Sequence, residues 1–134
     1  MDRVQKAMEY HKRGFNCAQS VACAFADIAG IDESTIFRAA EGFGLGMGDM
    51  ECTCGAVTGA VIVCGLKNST ANLEKPDSKK ETTGLAKEIT KAFRQKNGSV
   101  ICKEIKGVGT GKVLRSCDGC IEDAVRLVEE IVVK

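Results

Sequence analysis

Apolar residues recur at every third or fourth position along most of this chain, and no segment shows the strict alternation of a half-buried β-strand. The last segment is the clearest case, because Ile121, Val125, Val128 and Val132 fall on one face of a helix. A chain of 134 residues suits a single domain with one modest core. The pattern predicts an all-α fold, a compact bundle of five to six helices in one domain over residues 1–134.

Glycines and capping residues set the boundaries of the predicted helices. Gly14 ends the first helix, Asn16 caps the second and Asp32 caps the third. The complete set of predicted helices covers residues 2–13, 17–29, 33–41, 54–66, 77–95 and 119–132. Ser99 is expected to cap a short turn that holds Cys102.

Two glycine-rich segments interrupt this pattern. Residues 42–48 read Gly-Phe-Gly-Leu-Gly-Met-Gly, which prevents a stable helix and permits positive φ angles. They form either an ordinary turn or a loop whose backbone passes close to a bulky group such as a cofactor. Residues 106–112 resemble a phosphate-binding loop, but they lack its first glycine and the following hydroxyl residue, so we reject that interpretation.

The predicted helix over residues 54–66 is rich in small side chains in its first half, where Gly, Ala and Thr predominate. Glycine inside a helix costs about 0.5–1 kcal/mol relative to alanine, so packing or a site should compensate. We therefore expect another helix to approach this one closely.

Charge and aromatic content argue against several classes of function. Lys plus Arg number 19 and Asp plus Glu number 18, so a nucleic-acid or anionic-membrane surface is not expected. Aromatic residues make up 4% of the chain, which is too few for a base-stacking platform. The sequence has no apolar run of about 18 residues, and residues 1–14 lack the apolar core of a signal peptide. We expect a cytoplasmic protein with no membrane span and no nucleic-acid partner.

Eight cysteines beside a single histidine are the strongest chemical signal. In a reducing cytosol this count indicates metal binding or redox chemistry. Four of the eight fall at or just before predicted helix N-termini, namely Cys17, Cys54, Cys102 and Cys117. Unpaired N–H groups and partial positive charge at such ends stabilise a thiolate, which is the form that attacks disulfides and binds metals. These four are our candidate catalytic residues and candidate metal ligands.

The predicted helices place two other cysteines outside the candidate site. Cys17 shares a stripe with Val21 and should face inward, whereas Cys23 lies about 120° around the helix from it, so we expect Cys23 to be a bystander. Cys64 shares a stripe with Val57 and is expected to be a core residue.

The remaining two cysteines each stand close in sequence to a candidate. Cys52 and Cys54 are separated by one residue, and a disulfide between them would be strained and easily reduced. Cys117 and Cys120 are separated by two residues, which is the spacing that dithiol redox sites and zinc ligands share.

The flanking residues of the four candidates also form a pattern. It consists of residues 16–19 (Asn-Cys-Ala-Gln), the glycine-rich residues 42–48, residues 54–59 (Cys-Gly-Ala-Val-Thr-Gly), Cys102 and Cys117. This pattern resembles the C-GCAxxG-C-C family of redox-active proteins and covers nearly the whole chain. The resemblance implies that the family's four invariant cysteines are the four candidates. It implies redox activity at the level of the family, without a substrate or a reaction.

Two kinds of redox site can be built from the four candidates. In the first, the four thiolates hold a [2Fe–2S] or [4Fe–4S] cluster or another metal ion, assembled by the tertiary fold. In the second, one cysteine attacks a disulfide as a thiolate, another resolves the product, and His11 is a nearby base. A single histidine on an apolar stripe is more often a packing or surface residue.

Two further interpretations need no redox chemistry. One is structural zinc held by Cys52, Cys54, Cys117 and Cys120, although the spacing is imperfect for that role. The other is an interaction domain with buried thiols. We favour a redox protein in which the four candidates form one site, either a thiol–disulfide oxidoreductase or an electron-transfer protein. We expect it to react with a redox partner protein. The sequence leaves open whether the chain forms a homodimer.

Overall fold

Side-chain caps fix where several helices begin. Asp2, Asn16, Asp32 and Ser116 each accept a hydrogen bond from a backbone N–H in the first turn of the helix that follows. The computed structural model describes residues 1–133. Its right-handed α-helices are α1 Arg3–Lys12, α2 Cys17–Cys23, α3 Ala26–Ala29, α4 Glu33–Ala40, α5 Gly55–Asn68, α6 Lys79–Asn97, α7 Cys102–Lys106 and α8 Cys117–Ile131, and a 3-10 helix over Glu41–Phe43 follows α4. The predicted all-α class is confirmed, with more helices than the expected five to six. No helix within the described residues is both long and apolar enough to cross a membrane.

The predicted helix over residues 17–29 is divided into α2 and α3. Phe25 leaves the helical region, with φ −111° and ψ 14°. The Ala24 carbonyl accepts a hydrogen bond of 2.7 Å from Nη1 of Arg3, whose guanidinium lies 4.8 Å from the centroid of the Phe25 ring. These contacts from α1 stabilise the break. Because Arg3 belongs to another helix, the sequence around Phe25 does not predict it.

The core lies where α2, α5, α6 and α8 meet. Its largest fully buried side chains include Phe25, Phe93 and Ile121. Cys23 and Cys64 are also fully buried in this cluster. The prediction of a packing role for Cys64 is therefore confirmed.

The small residues of α5 allow α2 to pack against it at close range. A Cβ atom added to Gly59 would lie 2.7 Å from the carbonyl oxygen of Ala18, and one added to Gly55 would lie 3.3 Å from Cβ of Cys17. The expected close approach is confirmed. It holds Cys17, at the start of α2, beside the start of α5.

A single antiparallel β-bridge joins two loops next to these helix ends, between Thr53 and Ile101. Beside it, the N–H of Cys102 donates to the carbonyl of Cys52 at 2.9 Å. The bridge places the segment that contains Cys54 alongside the start of α7.

Candidate functional site

Four helix N-termini meet around one cavity. Cys17, Cys102 and Cys117 are the first residues of α2, α7 and α8, and Cys54 is the residue before α5. The predicted positions at helix N-termini are thus confirmed. All four candidates and Cys120 line a cavity of about 210 Å³. The fold therefore gathers five thiols from distant parts of the sequence.

The other three cysteines lie outside this cavity. Cys23 and Cys64 belong to the core, and burial raises the pKa of each thiol to about 11. Cys52 is exposed. All eight cysteines, each within residues 1–133, are free thiols.

The positions of these thiols bear on the metal interpretations. The zinc set needs Cys52, which does not line the cavity. Within residues 1–133, no three cysteine, histidine or carboxylate side chains are placed to hold a metal ion. The structure therefore contains no ready ligand shell for one ion, either from the zinc set or from the four candidates.

Cys17 and Cys117 form what we call the outer pair. Both thiols are half-buried. A hydrogen bond from Cys17 and the nearby ammonium of Lys106 outweigh burial and lower the pKa of Cys117 to about 5. Nζ of Lys106 lies 3.4 Å from Sγ of Cys117. The same interaction with Cys117, together with burial, raises the pKa of Cys17. At neutral pH, Cys117 is the thiolate of this pair and Cys17 is the thiol.

Cys54 and Cys120 form a second pair, which we call the inner pair. Cys54 is 7% exposed and Cys120 is 2% exposed. A hydrogen bond from Cys120 outweighs burial and, with the N–H groups of Ala56 and Val57, lowers the pKa of Cys54 to about 7. The interaction with Cys54 and burial raise the pKa of Cys120. The negative charge of this pair therefore resides on Cys54, at the positive end of α5.

Cys102 stands apart from both pairs. It is buried at the cavity wall, and burial together with the charge of Cys54 raises the pKa of its thiol. A Cβ atom on Gly46 would lie 2.6 Å from Cβ of Cys102. The backbone of the glycine-rich segment therefore passes close to another group, as one of the two interpretations predicted, and that group is the side chain of Cys102.

The glycine-rich segment contains a left-handed turn over Cys102. Leu45, Gly46 and Met47 have φ angles of 54°, 55° and 63°, a conformation that costs a residue with a side chain about 1–2 kcal/mol. The N–H groups of Gly48 and Met50 donate to carbonyl oxygens of the same segment. These two N–H groups are therefore already paired and do not donate to a sulfur of the cavity.

Basic side chains from three parts of the chain complete the cavity wall. They are His11, Lys106 and Arg115. His11 is half-buried. Its Nδ1 lies 2.9 Å from Oδ1 of Asp118. The guanidinium of Arg115 donates to the carboxylate of Asp123 through Nε at 3.1 Å and Nη2 at 3.2 Å.

Three residues of this site are not among the four candidates. Cys120 was predicted only as half of a close-spaced pair with Cys117 and as a zinc ligand, although its three-residue distance from Cys117 places both on one face of a helix. Lys106 lies four residues after Cys102, which also indicates a shared face of α7. Arg115 lies in a loop, where helical spacing gives no indication of the direction in which a side chain points.

A comparison with known families identifies the family of this chain. The model of the family described as "Putative redox-active protein (C_GCAxxG_C_C)" matches residues 15–131. The match includes all five cysteines of the cavity. No curated protein and no solved structure matches the chain. The chain belongs to the C_GCAxxG_C_C family of redox-active proteins.

Proposed function

We propose that the chain is a thiol–disulfide redox protein, in which Cys117 is the attacking thiolate and Cys17 is the resolving thiol. The observation that carries this proposal is the environment of the Cys117 sulfur, which has the Cys17 thiol on one side and the Lys106 ammonium 3.4 Å away. A thiolate attacks disulfides, and a second thiol within reach completes the exchange.

The exchange takes place in two balanced steps. The Cys117 thiolate attacks one sulfur of a disulfide R–S–S–R, so a mixed disulfide forms and RS⁻ leaves. Cys17 then gives up its proton and attacks the Cys117 sulfur, which forms the Cys17–Cys117 disulfide. The second RS⁻ leaves and takes that proton. Two cysteines are oxidised and R–S–S–R is reduced to one RSH and one RS⁻.

The surroundings of the outer pair favour both steps. Cys17 and Cys117 are half-buried, so an external disulfide can reach them while the mixed disulfide stays partly shielded from water. Lys106 stabilises the Cys117 thiolate in the reduced protein and when it leaves in the reverse reaction.

Mapping of the oxidised protein tests this proposal. The full chain is incubated without oxygen in glutathione disulfide, alkylated, digested and analysed by mass spectrometry. A peptide linked through Cys17 and Cys117 is expected. Cys17→Ser should instead leave glutathione on Cys117, and Cys64→Ser, at a core thiol outside the cavity, should preserve the link. Absence of the link, or equal loss with Cys64→Ser, would contradict the proposal.

An iron–sulfur cluster held by Cys17, Cys54, Cys102 and Cys117 is the second candidate function. Four thiolates are the usual ligand set of such clusters, and these four line one cavity. Cys102 is the specific observation in its favour, because the exchange of disulfides by the outer pair does not use it. A bound cluster would supply one-electron transfer.

An anaerobic absorption spectrum, with iron and acid-labile sulfide assayed on the same sample, separates the two candidates. Iron and sulfide that are present in the native protein and lost in Cys102→Ser would support the cluster. An iron-free protein that also fails reconstitution would remove it. Cys102→Ser should leave the Cys17–Cys117 disulfide intact if the dithiol proposal holds.

A further inference from the structure

The inner pair has the construction of a redox site but takes no part in the chemistry proposed for the outer pair. We propose that Cys54 and Cys120 form a second redox-active dithiol, which receives its disulfide from the outer pair by exchange within the cavity. This inference rests on the proposed function of the outer pair. It assigns a role to Cys120, which lies outside the family pattern.

The contacts of the inner pair support direct bonding between its sulfurs. Cys54 directly precedes α5 and Cys120 lies in the first turn of α8, these two helices pack against each other, and both side chains line the same cavity. Cys120 follows Cys117 by one turn of α8, so both project from one face of that helix. Each therefore faces a cysteine at the start of another helix, α2 for Cys117 and α5 for Cys120.

Burial determines the route by which the inner pair can be oxidised. With 7% exposure at Cys54 and 2% at Cys120, an external disulfide has little access to either sulfur. Cys17 is the neighbour through which the inner pair can react, because Cys17 packs against the start of α5. A Cβ atom on Gly55, the residue next to Cys54, would lie 3.3 Å from Cβ of Cys17.

The charges around the two pairs indicate the order of bond exchange. Cys54 stands at the positive N-terminal end of α5, which stabilises a thiolate there, and Cys17 packs beside that end. Cys117 is the better leaving group of the outer disulfide, because Lys106 stabilises its thiolate. Cys54 therefore attacks the sulfur of Cys17.

Two steps then transfer the disulfide. Attack by the Cys54 thiolate forms a Cys17–Cys54 disulfide and releases the Cys117 thiolate. Cys120 next gives up its proton and attacks the Cys54 sulfur, which forms the Cys54–Cys120 disulfide. Cys17 leaves and takes that proton. The inner pair is oxidised, and the outer pair returns to one thiol and one thiolate, ready for a second R–S–S–R.

If both pairs react, each chain reduces more equivalents of disulfide than one pair can. In Cys52→Ser, which removes the exposed thiol that glutathione disulfide would otherwise modify, each chain should consume two equivalents of disulfide and lose four of its seven thiols, since Cys23, Cys64 and Cys102 stay reduced. A protein that uses the outer pair alone would consume one equivalent and lose two thiols.

The experiment uses the full chain with Cys52→Ser, oxidised anaerobically with excess glutathione disulfide and followed by thiol counting and peptide mapping. Two linked peptides are expected, Cys17–Cys117 and Cys54–Cys120, together with the loss of four thiols. The outer link without the inner link would overturn this inference and leave the proposed function standing. Linkage of Cys54 to Cys102 would also overturn it. Absence of both links would overturn the proposed function itself.

A variant tests the route. In Cys117→Ser the inner pair is unchanged, but its supply of disulfide is removed, so formation of the Cys54–Cys120 link should slow by about tenfold or more. Cys64→Ser is the matched control and should not slow it. An unchanged rate in Cys117→Ser would show that external disulfide reaches the inner pair directly, and it would overturn the relay. Each variant is compared with the rate at which the native chain forms the Cys54–Cys120 disulfide.

Discussion

Nζ of Lys106, in the last turn of α7, lies 3.4 Å from Sγ of Cys117, the first residue of α8. The contact acts on both groups. It lowers the pKa of Cys117, together with the hydrogen bond from Cys17, and it raises the pKa of Lys106 against the effect of burial. The two partners lie on different helices, 11 positions apart in the chain, so the fold brings them together and helical spacing does not.

Replacement of Lys106 by Met should make Cys117 less acidic. The rate of alkylation by iodoacetamide follows the thiolate fraction, and its midpoint for native Cys117 is expected near pH 5. Without the ammonium group, the midpoint should rise by about 1 pH unit or more. Mass spectrometry of the Cys117 peptide across pH 4 to about 9 measures it.

Lys103→Met is the matched control for this experiment. Lys103 lies on the same helix, but its ammonium is paired with Glu51 at 3.4 Å. The midpoint for Cys117 should not move in that variant. An unchanged midpoint in Lys106→Met would mean that the lysine does not activate the sulfur.

The helix ends that carry the candidate cysteines could be predicted because capping signals are local. Asn16 precedes Cys17 and accepts from the N–H of Gln19, and a reader of the sequence sees that cap directly. The break at Phe25 could not be predicted, because it depends on the Arg3 side chain from another helix. The same limit explains why one predicted helix became α2 and α3.

The membership of the cavity was only partly predictable for a similar reason. Helical spacing shows that Cys120 shares a face with Cys117, but it does not show what that face meets. Cys54 lies opposite Cys120 because α5 packs against α8, which is a tertiary fact. Arg115 lies in the loop before α8 and lines the cavity while its guanidinium is paired with Asp123, an arrangement that helical spacing does not show. Spacing therefore identifies neighbours within a helix and fails for partners across the core.

Replacement of Gly59 by Ala should destabilise the domain. The added Cβ would lie 2.7 Å from the Ala18 carbonyl oxygen, and a backbone atom cannot move away without shifting α2. The expected loss is about 1–3 kcal/mol of unfolding free energy, measured by urea denaturation of the reduced protein. Gly65→Ala is the control on the same helix, with no atom within 4 Å of the new Cβ. It should stabilise by about 0.5–1 kcal/mol, and equal stability of the two variants would contradict the close packing of α2 on α5.

Replacement of Gly46 by Ala should open the cover over Cys102. The new Cβ would lie 2.6 Å from Cβ of Cys102, and alanine would have to adopt a φ of 55°. Both effects push the left-handed turn away from the cavity. The rate of Cys102 alkylation, slow in the native protein because the residue is 5% exposed, should rise by about tenfold or more. Gly42→Ala, where the new atom meets open space, should leave that rate unchanged, and a native rate in Gly46→Ala would contradict the close approach.

The carboxylate of Asp123 should make the stability of the domain depend on pH. Its side chain is 2% exposed. Burial alone would raise its pKa, but hydrogen bonds from Arg115, Lys96 and Asn97 prevail and lower it. A folded pKa below the unfolded value of about 3.9 means that the carboxylate stabilises the fold above about pH 4, and that this contribution disappears as the pH falls through the folded pKa.

Asp123→Asn should cost about 1–3 kcal/mol at pH 7, and urea denaturation should show that this difference shrinks towards pH 3 or so. Glu122→Gln, next to it and more exposed, should cost about 0.5 kcal/mol or less. A difference for Asp123→Asn that stays constant with pH would contradict the role of the charge.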